Sequence, residues 1–192
     1  MNKNWFTLKN VLIGIGVVLL AGIVWYFSTK NSLITLQEST DAAWAQVENQ
    51  LQRRYDLIPN LVNTVKGYAS HEKDVFTGIA EARSRLAGAR SVTEKIAASR
   101  GIESALSRLL VITENYPQLK ADRNFTALMD ELAGSENRIA QERRRYNENV
   151  QLFNQKIRMM PTSFVAKMAG FTKMDYFQMN EKAKEAPQVK FN

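Results

Sequence analysis

Between Leu33 and Ala69 the apolar side chains return every three or four positions, at Leu33, Leu36, Trp44, Val47, Leu51, Tyr55, Ile58, Val62, Val65 and Ala69. Thr40 bridges the widest gap. A strand would repeat every second residue, so this spacing specifies one amphipathic helix. At helical rise it extends roughly 55 Å. Pro59 stands inside it, but the apolar face continues from Ile58 to Val62. The proline therefore predicts a kink and not an end.

Directly before this helix lies Val11–Phe27, VLIGIGVVLLAGIVWYF, an apolar run without a charge. At about 26 Å of helical rise it is at the short end of what crosses a bilayer. Trp5 and Phe6 flank it on one side and Trp25, Tyr26 and Phe27 on the other, as interface aromatics do. No small-x-small cleavage site follows, so the run predicts a retained single-span anchor and not a removed signal peptide. Its glycines, Gly14, Gly16 and Gly22, form no GxxxG pattern.

The net charge of +7 raises the question of a nucleic-acid partner. Its distribution argues against one. Residues 1–30 carry three lysines and no acid, and residues 162–192 carry five lysines against three acids. Between them the two signs alternate, as on solvated helix faces. Excess at both ends fits contact with a membrane better than a nucleic-acid groove. Lys3 and Lys9 precede the span, whereas only Lys30 follows it closely, before Glu38 and Asp41. The positive-inside rule then predicts an internal N-terminus, with the remainder on the outer, periplasmic side of the bacterial inner membrane.

Further helical periods cover about 71–90, 93–116 and 124–160. Ser70 is the expected cap of the second helix and Ser91 or Thr93 of the third; Pro117 closes the next connection and Pro161 stops the fourth. Inward positions include Val75, Ile79, Ala82 and Leu86, then Ile102, Leu106 and Leu109, then Phe125 through Ile157 and Met160. With the helix at 33–69, this predicts an all-α fold. One transmembrane helix continues into an antiparallel four-helix bundle with two long and two shorter members. The chain divides into a short flank (1–10), the span (11–27), the bundle (28–161) and a tail (162–192). Parity returns Pro161 to the membrane end. The tail sets Phe164, Met168, Phe171, Tyr176, Phe177 and Met179 beside Lys167, Lys173, Lys182 and Lys184, which reads as an interfacial or partner-binding arm, the alternative being packing on its own bundle.

Catalytic chemistry finds no foothold. There is no cysteine and a single histidine, His71. His71-Glu72 begins like a zinc-protease motif, but Val75 stands where the second histidine belongs. One histidine also cannot supply the two Glu-x-x-His motifs of a di-iron bundle. No phosphate loop or nucleophile elbow occurs. Catalytic, cofactor-binding and metal-binding residues are accordingly expected to be none, with no small-molecule substrate. Two polar stretches remain, Arg53-Arg54-Tyr55-Asp56 and Arg143-Arg144-Arg145-Tyr146. Each is either a solvated face with bundle-register pairs or a partner or oligomer surface carried by Arg53, Arg54, Asp56, Arg143, Arg144 and Arg145.

The stretches NSLITLQESTDAAWAQVENQLQRRYDLIPNLVNTVKGYASHEKDVF, ENYPQLKADRNFTALMDEL and SENRIAQERRRYNENVQLFNQKI, with the closing GFTKMDYF and PQVKF, resemble the LemA family of small bacterial membrane proteins along nearly the whole chain. The resemblance implies an N-terminal membrane helix and a helical bundle. It brings no catalytic residues, and associates the chain with membrane-protease, envelope-stress or two-component signalling functions. The family is often drawn with a cytoplasmic bundle, opposite to the charge count. Met159-Met160-Pro161 departs from relatives that more often carry an aromatic residue before the proline. The reading that follows is a non-enzymatic, membrane-anchored scaffold, with the lipid bilayer and further copies of itself as partners. The alternative is a regulatory adaptor that docks on another membrane protein.

Overall fold

The computed structural model describes the backbone of residues 3–177 and the side chains of residues 9–177. The side chains of Trp5 and Phe6, and the tail from residue 178 with Met179, Lys182 and Lys184, lie outside the described residues. Among those described, all regular structure is helical: α1 (Lys3–Tyr68), α2 (Lys73–Gly88), α3 (Val92–Thr113), α4 (Pro117–Lys120), α5 (Arg123–Arg158) and α6 (Thr162–Met168). The expectations of an all-α chain and a long apolar N-terminal helix hold. No breaker separates the apolar run from the amphipathic stretch, so α1 is one helix of 66 residues. It also passes through Pro59. Loss of the bond from position 59 to the Tyr55 carbonyl costs about 3 kcal/mol. Ile58 and Leu61 on either side are fully buried, and their burial contributes about 1.5–3 kcal/mol each, which offsets that loss.

The chain forms two compact units, with boundaries inside α1 and α5. One comprises Ala43–Asn147 and the stretch from Asp175. Its core joins Ile58 and Val65 of α1 to Ile79 of α2, Leu109 of α3, Leu119 of α4 and Phe125 of α5. α2 is only 16 residues long, too short to hold as an isolated helix, and its buried Ile79 and Ala82 hold it in place. Val75 and Leu86 pack at the edge of the same core.

The helix starts show which caps operate. Ser91 accepts a hydrogen bond from the Glu94 N–H, and the Glu94 carboxylate accepts from the Ser91 and Arg90 N–H groups. This reciprocal box fixes the first turn of α3. Ser70, by contrast, caps nothing. α2 starts later, at Lys73, after a turn in which the Glu72 N–H bonds the Ala69 carbonyl. Pro117, expected only to close a connection, occupies the first turn of the additional short α4, where its missing N–H is no loss. Asp122 accepts from the Phe125 N–H at 2.9 Å and from the Tyr68 hydroxyl at 2.8 Å, and these bonds hold its carboxyl below the ordinary aspartate range.

The other unit comprises the chain up to Ala42 and Glu148–Met174. Leu33 and Thr40 of α1, Val150 and Phe153 of α5, and Val165 and Ala166 of α6 are buried in it. The Asn149 side chain donates to the Ser39 carbonyl at 3.2 Å. Beyond α6 the chain reverses at Gly170, whose φ is 78°. The Phe171 N–H reaches the Ala166 carbonyl and the Gly170 N–H reaches that of Lys167, the paired bonds of a Schellman turn. A side chain at Gly170 would be strained.

Candidate membrane and tail-docking surfaces

α1 contains the one stretch, among the described residues, that is long and apolar enough to cross a membrane; its most apolar window has no residue buried inside the protein. Trp25 is exposed there, Tyr26 is half-buried, and the Tyr26 and Phe27 rings meet edge to face at 5.5 Å. A helix of this hydropathy with every side uncovered has no partner among the described residues.

The tail divides into two kinds of residue. Phe164 and Met168, predicted as interface contacts, are 62% and 63% exposed. Met160, predicted to face inward, is 80% exposed, because α5 has already ended at Arg158. Phe171, Tyr176 and Phe177 behave otherwise and follow the alternative, packing on the chain's own helices. The Phe171 ring packs on Phe153 at 6.1 Å, and Tyr176 is half-buried. Phe177 is only 5% exposed, against Trp44 at 6.2 Å.

Asparagines on α5 account for the difference. The Asn154 amide accepts from the Met174 N–H and donates to the Met174 carbonyl, both at 2.9 Å. In the other unit, Asn147 makes the same two bonds with Phe177, at 2.8 and 3.0 Å, and the Tyr146 hydroxyl donates to the Asp175 carbonyl. Each amide thus imitates one rung of a sheet and satisfies backbone that has no helix or strand of its own. In the sequence Asn147 reads only as the end of the polar run that starts at Arg143, and Asn154 carries no reading; the available signal was polar Asn154 directly after Phe153.

The arginines are mostly engaged within the fold. Arg53 pairs with Glu131 at 2.9 Å, and Arg54, with its side chain largely covered, pairs with Glu136. Asp56 accepts from Gln52 at 2.8 Å and makes no ion pair with Arg53, which reaches across to α5 instead. Arg143 lies over the Phe177 ring at 5.7 Å, a cation–π contact that closes the tail-docking site. Arg144 is exposed, and Arg145 is exposed in a pair with Glu142 at 3.3 Å. Of the six residues proposed as a partner surface, Arg53, Asp56, Arg144 and Arg145 are exposed, whereas Arg54 and Arg143 are half-buried.

No group of three or more potential metal ligands occurs among the described residues. His71 is exposed in the turn before α2. The titration shifts are local: burial and then the neighbouring Glu38 raise Asp41 above the ordinary aspartate range, and backbone donors from Arg90 and Ser91 lower Glu94.

A family model described as the LemA family matches residues 43–191. The chain is 26% identical to magnetosome protein MamQ 2 of Paramagnetospirillum magneticum and to magnetosome protein MamQ of Magnetospirillum gryphiswaldense, in each case over 77% of this chain and 64% of the relative. It is 26% identical to protein LemA of Metamycoplasma hominis, over 81% of this chain and 72% of that protein. The match therefore spans less than two thirds of the length of the magnetosome relatives.

Proposed function

The chain belongs to the LemA family, and from that premise we propose a non-enzymatic, single-pass scaffold of the bacterial inner membrane that associates with further copies of itself. The observation that carries this reading is the uncovered apolar half of α1, continuous with a half that has a buried face. In this reading α1, α2, α3 and α5 form an antiparallel four-helix bundle tied to lipid by its first member. Two of the relatives are named as magnetosome proteins. A role in organising a membrane surface accords with those names.

The test is to extract the full chain in mild detergent and to reconstitute it in lipid nanodiscs. Self-association predicts a mass above the monomer in both, and a uniform monomer in both would overturn it. The adaptor reading places its contact on Arg53–Asp56 or on the run Arg143–Arg145, whose exposed members are Arg144 and Arg145. Charge reversal there would abolish co-purification of a membrane partner without lowering thermal stability. For orientation, the count of Lys3 and Lys9 against Lys30 places the bundle outside. With no native cysteine, Ala87→Cys, at an exposed position outside the Ser91–Glu94 cap, is a clean site for an impermeant maleimide. Labelling of spheroplasts before lysis is the expected result.

A further inference from the structure

Within the unit formed by the chain up to Ala42 and Glu148–Met174, the charges separate by sign. From residue 149 to residue 174 the chain carries Lys156, Arg158, Lys167 and Lys173 and no acid. On α1 the same separation holds: Lys30 follows the apolar run directly, whereas Glu38 and Asp41 come later. An open crevice brings Lys156 and Met159 of α5 beside Ser32 and Thr35 of α1. Ser32 is five residues past Phe27, about 8 Å along the axis. α6 follows from the last turn of α5, its Ser163 N–H bonded to the Met159 carbonyl at 2.8 Å. The cations therefore gather at the end of this unit adjoining the apolar run, and the acids Glu38, Asp41 and Glu148 at the end with Ser39 and Asn149.

Lys156, Arg158, Lys167 and Lys173 are exposed, and none pairs with a carboxylate among the described residues. Between them Met159, Met160, Phe164 and Met168 stand out into solvent. Isolated cations with long stems, interleaved with uncovered thioethers and an aromatic ring, suit the boundary of a bilayer: the apolar groups enter the acyl region and the cations meet phosphate. A soluble protein partner would require the apolar groups to form one compact patch with a polar rim. Here the two types alternate along the α5–α6 corner, beside the uncovered apolar run of α1.

We propose that the α5–α6 corner is a second membrane contact, in which Lys156, Arg158 and Lys167 bind anionic phospholipid headgroups while Met160, Phe164 and Met168 insert beside them. This rests on the membrane-anchored reading above and adds the lipid class and the residues that select it. Each cation near an anionic surface contributes about a fivefold bias toward the docked state, screened by salt.

The experiment uses the full chain with an environment-sensitive fluorophore on Phe164→Cys, reconstituted in vesicles of phosphatidylcholine alone or with about one-third phosphatidylglycerol. The expected result is blue-shifted emission in the anionic vesicles, reversed by molar salt. The triple variant Lys156→Gln, Arg158→Gln, Lys167→Gln should lose that response while keeping its helical circular dichroism. Equal emission in both vesicle types, or an unchanged response in the triple variant, would overturn the headgroup assignment. So would a shift that follows protein concentration and not lipid composition, which would mean a second copy covers the corner. Failure of the chain to float with either vesicle would overturn the anchored reading itself, a separate outcome from the previous ones.

Discussion

The residues of α1 from Val11 to Phe27 and those from Trp44 to Val65 belong to one helix but are built for different surroundings. In the first stretch apolar side chains point in every direction and stay uncovered; in the second only one face is apolar, and Val47, Ile58 and Val65 on it are completely buried. Apart from the bond missing at Pro59, backbone hydrogen bonding is helical in both. The distribution of side chains around the axis determines whether lipid or protein covers the helix. A helix apolar all round needs a solvent that is itself apolar, whereas a striped helix needs a partner.

The largest expected effect breaks the second stretch and spares the first. Ile58→Ala should destabilise the helical domain by about 2–5 kcal/mol, because it leaves a cavity in a closed core. Leu20→Ala, at a position 64% exposed, should leave the thermal midpoint unchanged. Circular dichroism melts in detergent compare the two; equal losses would show that the apolar half is covered by protein.

A smaller effect concerns the tail, which is held by polar bonds in addition to burial. Asn154→Ala removes both bonds to Met174 and should cost about 1–3 kcal/mol, because a backbone pair is left without partners. Hydrogen exchange at the Met174 amide should accelerate, while α2 and α3 keep their protection. Exchange that is unchanged would mean the aromatic contacts alone hold the tail.

The smallest lies at the start of α3, remote in sequence from either half of α1. Ser91→Ala should cost about 1 kcal/mol through loss of its cap bond. Glu94 adds a pH dependence. Its folded carboxyl titrates below its ordinary value because the Arg90 and Ser91 N–H groups donate to it. The resulting stabilisation is present above the pH at which a free glutamate titrates and fades as pH falls through the lowered folded value. Glu94→Gln should remove that acid-side component in melts recorded across the acidic range.

These cases also explain what could be read before the structure was seen. The helical period of Leu33–Ala69 and the apolar run are local patterns, and the structure keeps both in α1. The sequence leaves the cap of α3 between Ser91 and Thr93, and the box that Glu94 closes with Ser91 decides it. Phe164 and Phe177 could not be told apart, because an apolar residue beside lysines looks the same whether lipid or its own chain covers it. What separates them is the pairing of Asn147 with a residue 30 positions away, which leaves no periodic trace. The partners of Arg53 and Arg54 escaped for a similar reason: Glu131 and Glu136 lie 78 and 82 positions off.

The most direct test of the two-solvent account is spin-label accessibility along α1 in lipid vesicles. Single labels at Leu19→Cys and Gln52→Cys would be exposed in turn to oxygen, which concentrates in the acyl region, and to a water-soluble nickel chelate. The account predicts strong oxygen and weak nickel relaxation at position 19, with the reverse at position 52. Equal nickel access at both positions would mean that the apolar half of α1 lies in water or in a protein interface, and that the chain does not span the membrane.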